Sequence, residues 1–173
     1  MKLTSTMLGT AVLLAFSGPA AAAAAPTDPQ IAHIAYTAGT IDIAAGKQAI
    51  KKAHNRKVRE FAQEMVRDHQ AVNVKALALV KTLHVTPQDN PTSQALAKGA
   101  SAERAKLAKL KGTAFDREYI NNEVAYHKTV NGALEKDLIP SAKNSELKSL
   151  LESGLTLFRE HEAHAEQISK DLK

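Results

Sequence analysis

From Ile31 onward the apolar positions recur at steps of three and four, and no segment sustains the strict alternation of a half-buried strand. The pattern predicts four long helices. The first, roughly Pro29 to Ala53, aligns Ile31, Ala35, Ala38, Asp42, Ala45 and Ala49, with Ile34 and Ile41 beside them. Its seam is narrow, so neighbouring helices are expected to approach closely. The second begins after Asn55 as N-cap and carries Val58, Ala62, Met65, His69, Val72, Ala76, Leu79 and Leu83 in regular alternation of four and three. The third, roughly Thr113 to Leu138, aligns Ile120, Val124, His127, Asn131, Leu134 and Leu138, with Asp116 and Glu123 flanking the stripe. Pro140 is expected to end it. The fourth runs from Asn144 or Ser145 to the C-terminus through Leu147, Leu151, Gly154, Phe158, His161, Ala165, Ile168 and Leu172.

The joins set the expected topology. Short connections at Ala53 to Asn55 and Ile139 to Lys143 make two antiparallel helical hairpins. Between them, residues 85–112 open with Thr86-Pro87-Gln88-Asp89-Asn90-Pro91 and continue as a thin helix from about Ser93 to Leu110. A segment of that length can cross the whole bundle. The fold expected is all-α, a ferritin-like four-helix bundle in which a long crossover carries a short extra helix.

The first 25 residues read differently. Lys2 precedes an apolar run from Met7 to Phe16, Ser17-Gly18-Pro19 breaks it, and Ala20 to Ala25 supply small residues for cleavage. This predicts a secretory signal peptide over residues 1–25, cut near Ala22 to Ala24, and a bundle domain over residues 26–173. The run is too short to span a bilayer core, so a periplasmic or secreted protein is expected, without a transmembrane segment in the mature chain.

Composition narrows the chemistry. With no Cys among 173 residues, disulfides, thiolate nucleophiles, Cys zinc sites and covalent c-type haem are excluded. No Gly-rich phosphate loop or Gly-x-Ser-x-Gly elbow is present, which removes nucleotide-binding and hydrolase readings and leaves no assigned catalytic residue. Removal of Lys2 leaves 22 basic against 18 acidic residues, a mild excess. Lys47, Lys51, Lys52, Arg56, Lys57 and Arg59 cluster around the first hairpin and could meet an envelope protein or an anionic surface. Without interleaved aromatics, and with export expected, nucleic acid is not a partner.

Each long helix offers its interior one polar residue: Asp42, His69, His127 and His161. Imidazole and carboxylate together suit copper, zinc or iron, and a bundle can present ligands from facing helices at one level. Glu123, four residues before His127, adds a second carboxylate, while Asp68 adjoins His69. Counted from the second hairpin turn, His127 lies eleven residues before Leu138 and His161 seventeen after Asn144. At about 1.5 Å per residue they differ in level by about 9 Å, so Glu123 is expected to replace or bridge to His127. No Glu-x-x-His occurs, so the diiron carboxylate pattern is absent. The competing reading of these residues is an interhelical hydrogen-bond network in a structural or interaction module of the envelope.

The runs Phe61-Ala62-Gln63-Glu64-Met65-Val66-Arg67-Asp68-His69, Phe115-Asp116-Arg117-Glu118-Tyr119 with His127, and Phe158-Arg159-Glu160-His161 resemble the bacterial domain-of-unknown-function family 4142. The resemblance covers about Ile31 to Ile168. It implies an exported protein of ferritin-like helical fold, with Asp68, His69, Asp116, Tyr119, His127 and His161 as matched positions. It supplies no activity. The function expected is envelope metal handling or stress protection through a bound transition metal.

Overall fold

The computed structural model describes residues 25–172, so the segment expected to be a signal peptide lies almost wholly outside the described residues. Among the described residues the chain is all-helical: α1 (Asp28–Lys52), α2 (Arg56–Thr82), α3 (Pro91–Lys109), α4 (Gly112–Ala133), a π-helical turn (Leu134–Leu138), a single turn α5 (Ile139–Ser141) and α6 (Ser145–Asp171). None of the described helices is long and apolar enough to cross a membrane.

Local chemistry sets the boundaries. The Asn55 side chain accepts from the Lys57 N–H at the start of α2, and Asn144 accepts from Glu146 and Leu147 at the start of α6. Asn90 and Ser93 cap α3 reciprocally, with Pro91 in the first turn where its missing N–H costs nothing. At the end of α2, His84 takes the left-handed conformation at φ 52°, the Val85 N–H bonds Val80 O and the His84 N–H bonds Lys81 O. That is a Schellman closure with His where Gly is usual.

Hydrogen bonds between the helices fix their directions. The start of α3 is tied to the start of α1 by Gln88 N–H to Pro29 O at 2.9 Å and Asn90 Nδ2 to Gln30 O at 3.3 Å. Its end is tied to the end of α1, where Lys52 Nζ donates to the carbonyls of Leu107 and Ala108. α3 therefore runs parallel to α1 and carries the chain back along the bundle. α4 consequently points the same way as α2, and α6 returns so that Asp171 meets Lys57 at 2.7 Å.

The two hairpins clamp each other. Asp116, near the start of α4, accepts from the backbone N–H groups of His54 (3.0 Å) and Asn55 (2.8 Å) in the α1–α2 turn. Asp28, at the start of α1, accepts from Lys143 and Asn144 before α6, each at 2.9 Å. Each turn thus receives its carboxylate from the other hairpin, a reciprocity that pattern reading along one helix does not reveal.

Three expectations need correction. Pro140 does not end the third long helix: the Ile139 N–H bonds Leu134 O through the π-helical turn, and helix resumes through Pro140 to Ser141. Widening the ladder by one residue accommodates a ring that would otherwise meet a carbonyl in the preceding turn. In α2 the buried face shifts after His69, so that Asn73 is buried and Val72, Ala76, Leu79 and Leu83 are only half-buried. The small residues of α1 also serve two ends. At Gly46 a side chain would come within 2.9 Å of Ala62 O and of a Val66 methyl, so close approach to α2 is real there. At Gly39 a side chain would run into Asn73 of α2, whereas Ala32, Ala35 and Ala38 line a cavity.

Four of the six clustered basic residues are engaged within the fold. Lys52 caps α3, Arg56 pairs with Glu60, Lys57 with Asp171, and Arg59 donates to Ala53 O. Lys47 and Lys51 point to solvent.

Candidate metal centre

The apolar stripes of α2, α4 and α6 each place one imidazole at mid-height. His69, His127 and His161 are 1–2% exposed, and their ring centroids stand 5.4–5.8 Å apart. One ring nitrogen of each lies within 4.8 Å of one from each of the others. The expected difference in level between His127 and His161 is therefore absent. The π-helical turn and α5 prolong the helical run of α4 to Ser141, so the hairpin turn lies farther from His127 than Leu138 does. Glu123 does not take the place of His127; it stands beside it, Oε2 at 3.6 Å from Nδ1. Asp42 of α1 completes the layer, with Oδ2 at 3.2 Å from His69 Nε2 and 3.9 Å from His127 Nε2. Asp42, Glu123 and His127 form a second close group that shares His127 with the first.

Hydrogen bonding orients two of the rings. His127 Nδ1 lies 3.0 Å from Glu123 O, so it carries the proton and donates, leaving the Nε2 lone pair facing the layer. His161 Nε2 lies 3.2 Å from Asp68 Oδ2, which leaves Nδ1 facing inward. His69 is held by stacking on Phe158, with centroids 4.7 Å apart and planes at 15°. His69 Nδ1 and Nε2, His127 Nε2 and His161 Nδ1 are all buried without a well-directed hydrogen bond, as are both oxygens of Glu123. An unpaired buried polar group costs about 1–3 kcal/mol, so such a concentration in one layer is unusual for a core.

Electrostatics favours lone pairs over protons. Burial pushes His69 down to about 4, against a weaker opposing pull from Asp68. Burial also lowers His127 despite Asp42, and lowers His161 together with repulsion from His69. Burial lifts Asp42 to about 6 against the attraction of His127, and lifts Glu123 far above the carboxylate range with help from Asp42. Three neutral imidazoles beside two carboxylates that resist joint ionisation make a site that a divalent cation would neutralise.

The His69 value has a direct consequence. The unfolded chain takes up this proton near 6.5 and the folded chain only near 4, so the residue costs stability progressively as pH falls between those values and nothing above them. In metal-free protein the His69 ring resonances are expected to stay unchanged on acidification until below about pH 5. A midpoint near 6 by NMR titration would contradict this environment.

Asp68 behaves differently from its reading in sequence: it holds His161 rather than the adjacent His69. Consecutive helical residues point about 100° apart, so Asp68 faces α6 while His69 faces the layer. Arg67 grips the same carboxylate at 2.8 and 3.0 Å. These bonds, with that from His161, outweigh its partial burial and hold Asp68 below the usual range. Glu64 joins it on the same face and pairs with His164 at 2.8 Å. Of the remaining matched positions, Asp116 is the turn clamp. Tyr119 is sealed in the core, its phenol driven well above its usual range by burial and by the charges of Glu123 and Asp42.

Among curated proteins no sequence matches this chain. Three solved structures share its fold. A DUF305 fragment from Deinococcus radiodurans superposes with a TM-score of 0.71 at 14% identity, covering 86% of this chain and 99% of that one. CopM in its Cu(II)-bound form gives 0.66 at 13% identity over 87% and 100%. A DUF305 protein from Streptomyces coelicolor, described as a candidate secreted protein, gives 0.60 at 10% identity over 83% and 87%. At these identities the likeness is one of fold. The sequence profile of a domain of unknown function, DUF4142, matches residues 14–168, and the chain belongs to that family.

Proposed function

We propose that this chain is an exported protein of ferritin-like connectivity that binds a transition metal, copper, zinc or iron, through His69, His127 and His161. Asp42 and Glu123 supply the balancing charge. Its role is envelope metal handling or stress protection, and residues 1–25 act as the export signal. The observation that carries the reading is the set of buried ring nitrogens gathered in one layer beside Asp42 without a well-directed hydrogen bond. Asp68 behind His161 and the Glu123 carbonyl behind His127 orient those rings in the way protein groups commonly orient metal-bound imidazoles. When bound, the metal would supply a Lewis-acidic or redox centre. The chain's own residues hold the rings neutral, fix their tautomers and exclude water. CopM, captured with Cu(II), is an instance of a bundle of this fold holding copper.

A second reading, a non-catalytic structural or interaction module of the envelope, draws on the same contacts. Asp42 to His69 links α1 with α2, and Asp68 to His161 links α2 with α6. Calorimetry on chelator-stripped protein expressed from Pro26 separates the two. Stoichiometric binding of copper, zinc or iron is expected, with a rise in melting temperature that grows with free metal. Unchanged melting and no heat of binding would leave the network reading.

A further inference from the structure

The interior is packed unequally on the two sides of the histidine layer. Toward the α1–α2 turn, Phe61, Phe115, Tyr119, Ile120 and Ala165 are completely sealed. Toward the opposite end, Leu134, Leu138, Leu147, Leu151, Leu155 and Phe158 each retain 3–9% exposure. A cavity of about 660 Å³ lies there between α1, α2, α4 and α6.

Its volume falls within the range of small-molecule pockets, and pockets between bundle helices are a recurrent location. Width comes from small side chains, Ala35 and Ala38 on α1 and Ala76 on α2, at positions where a bundle seam ordinarily carries larger ones. Length comes from α6, whose lining residues run from Leu147 to Phe158, about 16 Å of helix. Water gains little along most of such a space, because it needs two to four polar partners and the walls are mainly aliphatic. Among the polar lining groups, exposed Lys136 and its neighbour Asp137 stand at the end remote from the histidines. At the inner end Phe158 closes the cavity and stacks on His69.

We propose that this cavity is a binding pocket for a single-chain amphiphile of the fatty-acid type. Its alkyl tail lies along α6 toward Phe158, and its carboxylate remains at the mouth near Lys136. An elongated, mainly aliphatic space closed at its inner end by Phe158, with the charged neighbours Lys136 and Asp137 at its other end, matches that chemistry better than it matches a compact polar metabolite. The assignment holds whether or not a metal occupies the histidine layer.

The test uses metal-free protein expressed from Pro26, with N-phenyl-1-naphthylamine as fluorescent probe and dodecanoate as competitor. Wild type is expected to bind the probe with enhanced emission, to release it on addition of dodecanoate, and to melt at higher temperature with dodecanoate present. Ala38→Leu and Ala76→Leu, which fill the cavity from facing helices, are expected to weaken both ligands by at least about tenfold while keeping the helical spectrum. Failure of wild type to bind the probe or to gain stability from dodecanoate overturns the proposal without reference to any variant. Binding that persists undiminished in folded variants overturns it as well, by placing the probe elsewhere.

Discussion

Replacing His127 with alanine is expected to lower the affinity for a transition metal by more than about a hundredfold, on the order of 3 kcal/mol, while the helical spectrum of the metal-free protein is retained. The reason is geometric. Nε2 of His127 faces both other imidazoles and Asp42, whereas Nδ1 is committed to the Glu123 carbonyl, so the ring cannot be replaced by rotation of a neighbour. Asp68→Asn should cost less, about tenfold to a hundredfold, because it weakens the group that orients His161 without removing a nitrogen. His164→Ala provides the control: that ring lies outside the layer, paired with Glu64. Calorimetric titration of the three variants beside wild type makes the comparison. Equal affinities for His127→Ala and wild type would remove the histidine layer as the metal site.

The second large effect lies far from that layer. Asp116→Ala is expected to cost about 3–5 kcal/mol of folding stability, since it removes two hydrogen bonds to a charged acceptor and leaves two backbone donors of the α1–α2 turn unmet. The carboxylate is completely buried, so water cannot substitute readily. Asp28→Ala removes the equivalent pair at the opposite turn. It is expected to cost roughly half as much, because Asp28 is only half-buried and solvent can restore part of the loss. Urea unfolding at neutral pH, with slopes compared to confirm a common transition, measures both. A loss below about 1 kcal/mol for Asp116→Ala would mean that the turn holds without its clamp.

The contrast between these two sites shows what one-dimensional reading reaches. His69, His127 and His161 stood out because each is a polar residue at a position of its helix where the spacing demands an apolar one. Asp42 and Glu123 followed from the same spacing. Hairpin boundaries were legible through Asn55 and Asn144, whose caps act within three residues. Contacts that join distant segments were not legible: Asp116 and the α1–α2 turn are about sixty residues apart, and the Asp68 carboxylate meets a ring 93 residues away. Nor does a stripe of alanines say whether two helices touch across it. At Gly46 and Gly39 they do, while Ala35 and Ala38 face a cavity. The error at Pro140 has a local cause. Proline ordinarily terminates a helix, but a helix can instead admit it by changing its ladder for one turn.

That wide turn carries an evolutionary consequence. A π-helical turn is what an α-helix becomes when one residue is inserted and both flanks keep their docking. Here the upstream flank is held by Asp116 and the downstream turn by Asp28, so neither end of the α4 segment is free to rotate. An insertion between Ala133 and Ile139 could therefore be absorbed only in place, leaving the facing of His127 toward its neighbours intact. In reverse, deletion of a single residue from Leu134–Leu138 would restore a regular ladder, but it would set the Pro140 ring against the preceding carbonyl. Relatives that lack the extra residue should accordingly lack the proline, and the two characters should be gained and lost together.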